Sequence, residues 1–184
     1  MRILPAAAAL VPALFAGLVH ASGDAEIPPP RVVVDGNRAL VSFQLDGALD
    51  ERFLDRVHSG LPTGFLYRLE LLKDRKRWYD RPLQETTLQV IAMYDAVSRE
   101  YLVNRKLGGK LVDSRTVADL PALERELTRI ESLPAFQLDG LPRSWRMLVR
   151  VRAEMGSRTI LSFIPSKVQT DWSESRKFRT ENAL

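Results

Sequence analysis

Cysteine is absent from the 184-residue chain, and histidine occurs only twice. The first absence excludes a thiol nucleophile, a disulfide scaffold, an iron–sulfur centre and a thiolate zinc site. The second leaves almost no imidazole for metal binding or proton transfer. Asp-x-Asp calcium loops and a Gly-x-Ser-x-Gly nucleophile elbow do not occur. Leu107-Gly108-Gly109-Lys110 holds two glycines but lacks the trailing Ser or Thr of a phosphate loop, so it reads as a turn. No cofactor is nominated by any motif.

What is present begins with an export signal. Met1 and Arg2 give a positive start, Ile3 to Val19 is uncharged and apolar, and Val19-His20-Ala21 supplies small residues for a signal peptidase. Pro5 and Pro12 argue against a retained membrane-spanning helix, and no later apolar run is long enough to cross a bilayer. Without cysteine, a lipid-anchored N-terminus is excluded. Residues 1–21 therefore read as a signal peptide cleaved after Ala21, which predicts export, and an Arg- and Ala-rich domain without disulfides suits the periplasm of a Gram-negative bacterium. Cleavage leaves 163 residues with 26 basic and 23 acidic side chains, a net charge of about +3, and His58 as the single histidine. So small a basic excess on an exported chain disfavours nucleic acid as a partner.

Residues 22–31, with Pro28, Pro29 and Pro30 in a row, read as an extended leader. Residues 32–165 read as one β-rich domain and 166–184 as a C-terminal tail. Val32 to Val34, Asp35-Gly36-Asn37 and the alternation of Ala39, Val41, Phe43 and Leu45 predict a hairpin with a short turn. Leu49, Phe53, Leu54 and Val57 then fall on one side of a short helix within 46–60, capped by Asp46 or Asp50 and ended by Gly60. Thr63 to Arg77 alternates again, with Phe65, Tyr67, Leu69 and Leu71 on one face; its length predicts a bulge or bend. Leu88 to Tyr94 and Tyr101 to Val103 predict a hairpin turning at Asp95 to Ser98, with a further short strand from Lys110 to Asp113. Leu120, Leu123, Leu127 and Ile130 form a second helical stripe, with Asp119 as cap, Pro121 in the first turn and Pro134 beyond the end. Trp145 to Met155 alternates cleanly as a last strand.

Six or seven antiparallel strands and two short helices predict a mainly β protein. The expected form is an antiparallel β-sandwich, with an immunoglobulin-like arrangement among its variants. The alternative is an α+β fold with both helices on one face of an antiparallel sheet.

Few residues are placed for chemistry. His58 borders the apolar stripe of its helix near Leu54 and Leu61, and nothing in the sequence brings it a Ser and an Asp. The carboxylates Asp50, Glu51, Glu124, Glu126 and Glu131 sit at helix starts or on outward faces, where capping and solvation account for them. Arg143, Arg146, Arg150 and Arg152 form the wet side of the last strand. The densest basic and aromatic cluster is 73–81, where Arg75, Arg77, Trp78, Tyr79 and Arg81 are the candidate contacts for a partner.

Phe43-Gln44-Leu45, Ser59-Gly60-Leu61-Pro62, Phe65-Leu66-Tyr67-Arg68-Leu69-Glu70, Arg77-Trp78-Tyr79-Asp80, Tyr94-Asp95, Arg99-Glu100-Tyr101-Leu102-Val103 and Trp172-Ser173-Glu174-Ser175 occur in that order after the signal. In this succession the chain resembles the bacterial family catalogued as domain of unknown function 4390. The resemblance implies an exported protein with no catalytic residue to carry over. It also implies an accessory role at the envelope, beside a membrane sensor protein. Three functional expectations follow: a non-enzymatic binding or regulatory module of the cell envelope; a hydrolase or small-ligand carrier with a cavity near His58; and a subunit whose exposed strand edge pairs with a neighbour.

Overall fold

The computed structural model describes residues 25–74, 82–155 and 168–180. The first two strands, β1 (Arg31–Asp35) and β2 (Arg38–Gln44), form the expected hairpin. Asp35 lies opposite Arg38, which leaves a two-residue turn, and Gly36 takes φ +57°, a conformation that costs glycine nothing. Helix α1 (Glu51–His58) is capped by Asp50, whose carboxylate accepts the Phe53 N–H at 2.8 Å. Asp46, the other expected cap, instead pairs its backbone with Glu26 at the start of the domain.

Four strands follow as consecutive antiparallel hairpins: β3 (Thr63–Lys73), β4 (Gln84–Asp95), β5 (Glu100–Leu107) and β6 (Lys110–Val117). The chain then crosses through helix α2 (Leu120–Thr128) and β7 (Arg129–Gln137) and returns as β8 (Met147–Met155) beside β3. A run of hairpins closed by a strand lying next to the first has Greek-key order. Two short strands, β9 (Val168–Gln169) and β10 (Ser173–Glu174), both pair with β8. The large sheet runs β10-β8-β3-β4-β5-β6, and a small sheet runs β1-β2-β7.

Three expectations change. No bulge interrupts β3, whose register with β4 and β8 is continuous. A central strand flanked over its length by two regular partners has no place for an extra residue. Ile130 does not extend the second helix, which stops at Thr128 and passes directly into a strand absent from the sequence reading. Pro134 sits inside that strand, β7, which is tolerated because β7 is an edge. Register shifts in the β2–β7 pairing and Ser132 at φ +48° break the period of two, which hid the strand. Residues 168–178, read as part of a tail, run along the outer edge of β8. Thr170 exchanges hydrogen bonds with Ala153 and Ser175 with Val149, and Phe178 bridges to Met147.

One face of the large sheet is buried. Phe65, Tyr67, Leu69 and Leu71 of β3 are nearly inaccessible, as are Val90 of β4, Val103 of β5 and Val149 and Val151 of β8. The small sheet and both helices cover this same face. Phe43 of β2 meets the Tyr67 ring edge-on at 4.9 Å, Phe53 of α1 stacks on Phe65 at 5.0 Å, and Leu123 and Leu127 of α2 are fully buried. The expected sandwich is therefore formed, with its helices set into the thinner layer. Burying each such side chain contributes about 1.5–3 kcal/mol.

Tyr67 carries the only polar group among these β3 core residues. Its hydroxyl donates to the Leu127 carbonyl at 2.8 Å in the last turn of α2, and burial pushes its pKa well above the ordinary phenol value. Tyr67→Phe leaves that buried carbonyl unpaired, so it is expected to cost about 1–3 kcal/mol in urea unfolding while native spectra are kept.

Candidate functional site

The end of β3 and the start of β8 bring two cations to one carboxylate and a third to the ring beside it. Lys73, the last residue of β3, sets its Nζ 3.5 Å from the centre of the Trp145 ring. Asp74 accepts Lys177 Nζ at 2.8 Å and faces Arg146 Nε at 3.5 Å. The hydrogen bond from Lys177, reinforced by the Lys177 and Arg146 charges, holds the Asp74 carboxyl below its usual range. The backbone is pinned as well: Asp74 N–H donates to the Arg146 carbonyl at 2.7 Å, and Leu83 N–H donates to the Leu71 carbonyl at 2.8 Å.

These contacts root both ends of the 75–81 connection. Arg75, Arg77, Trp78, Tyr79 and Arg81, the candidate partner contacts, lie outside the described residues. What is described is the frame that carries them. Residues 73–81 contain five basic and two acidic side chains, and Arg146 and Lys177 join them at the frame, a net of five positive charges against +4 for the whole chain. The rest of the protein is therefore slightly acidic, and its basic character comes from this one stretch and its two neighbours. Sequence reasoning found 75–81 through density of charge. It could not find Lys177 and Trp145, which arrive from positions about 100 and 70 residues away.

The exposed face of the large sheet behaves differently. Arg150 pairs with Glu70 at 2.6 Å, Arg68 with Glu154, and Arg152 reaches Glu154 at 3.9 Å. Trp172 lies over both Arg150 and Arg152, with 4.5 Å from ring centre to each guanidinium. Of the arginines read as a wet basic face, Arg150 and Arg152 are thus balanced by β3 and β8 carboxylates and partly roofed by an aromatic ring, whereas Arg146 belongs to the frame around Asp74. A cleft of about 300 Å³ on this side is lined by Arg68, Glu70, Glu85, Thr86, Thr87 and Gly108. A second, of about 390 Å³, lies between Pro28, Arg31, Gln44 and Arg129.

Neither cleft includes His58. That side chain stands exposed at the end of α1, its Nε2 2.7 Å from the Tyr101 hydroxyl and its ring edge-on to Tyr94. Burial pushes the Tyr101 hydroxyl up in pKa, with a smaller contribution from Tyr94. The pairing ties α1 to the β4–β5 hairpin, and no carboxylate among the described residues pairs with the imidazole. Three of the carboxylates weighed for catalysis are occupied: Asp50 caps α1, Glu126 pairs with Arg105 and Arg115, and Glu131 with Arg129. Among the described residues there is no group of three or more His, Asp or Glu side chains able to hold a metal ion. No helix among them is long and apolar enough to cross a membrane.

Residues 23–162 match the family model described as a domain of unknown function, DUF4390. No curated protein and no solved structure matches the chain.

The carboxylate at the frame offers a direct check of the electrostatics. Asp74 has a lowered pKa in the folded state, so its stabilising contribution is present above the ordinary carboxylate range and is lost as pH falls through the lowered value. Carboxyl-detected NMR titration should find Asp74 ionising below its peptide value, and Lys177→Ala should return it towards that value.

Proposed function

The chain belongs to the DUF4390 family, and from that premise we propose that it is an exported, non-enzymatic binding module of the bacterial cell envelope whose partner presents an acidic surface. The observation that carries this reading is the frame at the end of β3. Arg146 and Lys177 share the single carboxylate of Asp74, and Lys73 lies over the Trp145 ring beside them, so the charge of the three is only partly neutralised. The same strand end leads into Arg75, Arg77, Trp78, Tyr79 and Arg81. Concentrated charge of one sign steers an oppositely charged partner and fixes its orientation, while large aromatic residues supply the contact energy. The rigid β3–β8 pairing behind the frame limits the ordering cost of binding.

Two experiments test the proposal. Crosslinking in intact envelopes should capture a partner with the wild-type protein. That capture should be lost both in Arg75→Glu/Arg77→Glu/Trp78→Ala and in Arg146→Glu/Lys177→Glu, provided each variant keeps the wild-type circular dichroism spectrum. A folded variant that still captures the partner places the contact elsewhere. Intact-mass measurement of the protein recovered from the periplasm of a Gram-negative host should give an N-terminus at Ser22; recovery only as the full chain in the membrane fraction contradicts export as a released protein.

A further inference from the structure

Open sheet edges invite pairing, and proteins blunt them with prolines, bulges, short strands or covering segments. Three edges of this fold are treated in those ways. β1 has five residues and follows three prolines. β7 is irregular in register and contains Pro134. The outer side of β8 is covered by β9, β10 and the Phe178 bridge. β6 is the exception: it runs for eight residues without proline and has no strand on its outer side among the described residues. Its one irregularity lies near the hairpin end, opposite Arg105 and Lys106, and Asp113 to Val117 pair regularly with β5. Leu111 and Val112 are 59% and 54% exposed on this strand.

We infer that β6 pairs with β6 of a second copy of this chain, antiparallel, about a two-fold axis through Ser114. The register follows from symmetry and charge. A two-fold axis normal to a continuous sheet preserves its faces, so it must pass through a residue facing its own equivalent. An axis at Asp113 or Arg115 sets like charges against each other. An axis at Ser114 sets Asp113 opposite the copy's Arg115, and Arg115 opposite the copy's Asp113. The two side chains are already aligned on one face, 2.7 Å apart within the strand, and Arg115 is more than half exposed. The same register brings the irregular 111–112 end of β6 towards the 116–117 end of the copy's strand, so that the exposed Leu111 and Val112 gain neighbours there. The large sheet becomes continuous across the axis, and the basic end at β3 remains outside the interface.

The absence of cysteine makes the register directly measurable. Opposed residues of an antiparallel pair have Cα atoms about 4.5–5.5 Å apart, within disulfide range. Ser114→Cys, a small change at an exposed position, should therefore form an intermolecular disulfide under mild oxidation. Thr116→Cys should not, because the two copies of residue 116 are about 13 Å apart in this register. Sedimentation should show a dimer for the unmodified protein and loss of that dimer in Arg115→Asp. The exchanged variant Asp113→Arg/Arg115→Asp should restore it. A monomer at high protein concentration, no disulfide at 114, or equal crosslinking at 114 and 116 overturns the inference. The cysteine pair decides the matter even if Arg115→Asp fails to fold through loss of its contact with Glu126.

Discussion

Helix α2 ends without the left-handed cap that usually absorbs the last carbonyls of a helix, because its chain turns at once into β7. The orphan groups are satisfied by other elements instead. Glu126 carbonyl takes Arg105 from β5, Leu127 carbonyl takes the Tyr67 hydroxyl from β3, and Thr128 carbonyl takes the Leu45 N–H beyond β2. Three separate parts of the chain are thereby fixed to one helical turn. This junction sets how the small sheet lies on the large one, since β7 starts there and Leu45 leads out of β2.

Charge is distributed with the same economy. Carboxylates and guanidinium groups pair across the strands of the large sheet, Glu70 with Arg150 and Glu154 with Arg68, and from α2 to β5, Glu126 with Arg105. The first two of these half-buried pairs leave the outer face of the large sheet nearly neutral. The residual positive charge collects where β3 and β8 end, around Asp74. A protein with a modest overall charge thus acquires one strongly basic region and one open strand edge, at opposite sides of the large sheet. The proposed dimer contact and the proposed partner contact would therefore not compete for one surface.

Much of the fold is legible in the sequence, and the reason is periodicity. β3, β4, β5 and β8 each bury alternate side chains on one face, so a period of two survives intact. Asp50 and Asp119 announce their helices by the position of a capping carboxylate. β7 escapes because two register shifts, a positive φ at Ser132 and an interior proline erase the alternation. The short strands β9 and β10 are invisible for a different reason: two residues cannot show a period, and their pairing relies on Thr170 and Ser175 hydroxyls that look like ordinary loop residues.

The candidate site divides along the same line. Local density of Arg, Lys, Trp and Tyr marks residues 75–81, and the absence of cysteine together with a single histidine after the N-terminal run limits the chemistry open to the chain. These properties depend only on composition and near neighbours, so the sequence by itself determines them, along with the mainly β class and the helix starts. The frame about Asp74 is decided by tertiary structure alone. Lys177, Arg146 and Trp145 reach it because β8 returns beside β3 and the C-terminal segment runs along β8. Likewise, β6 lacks an outer strand among the described residues because strand order makes it the last in the sheet. Local patterns encode what each segment prefers, whereas long-range pairing determines which segments meet.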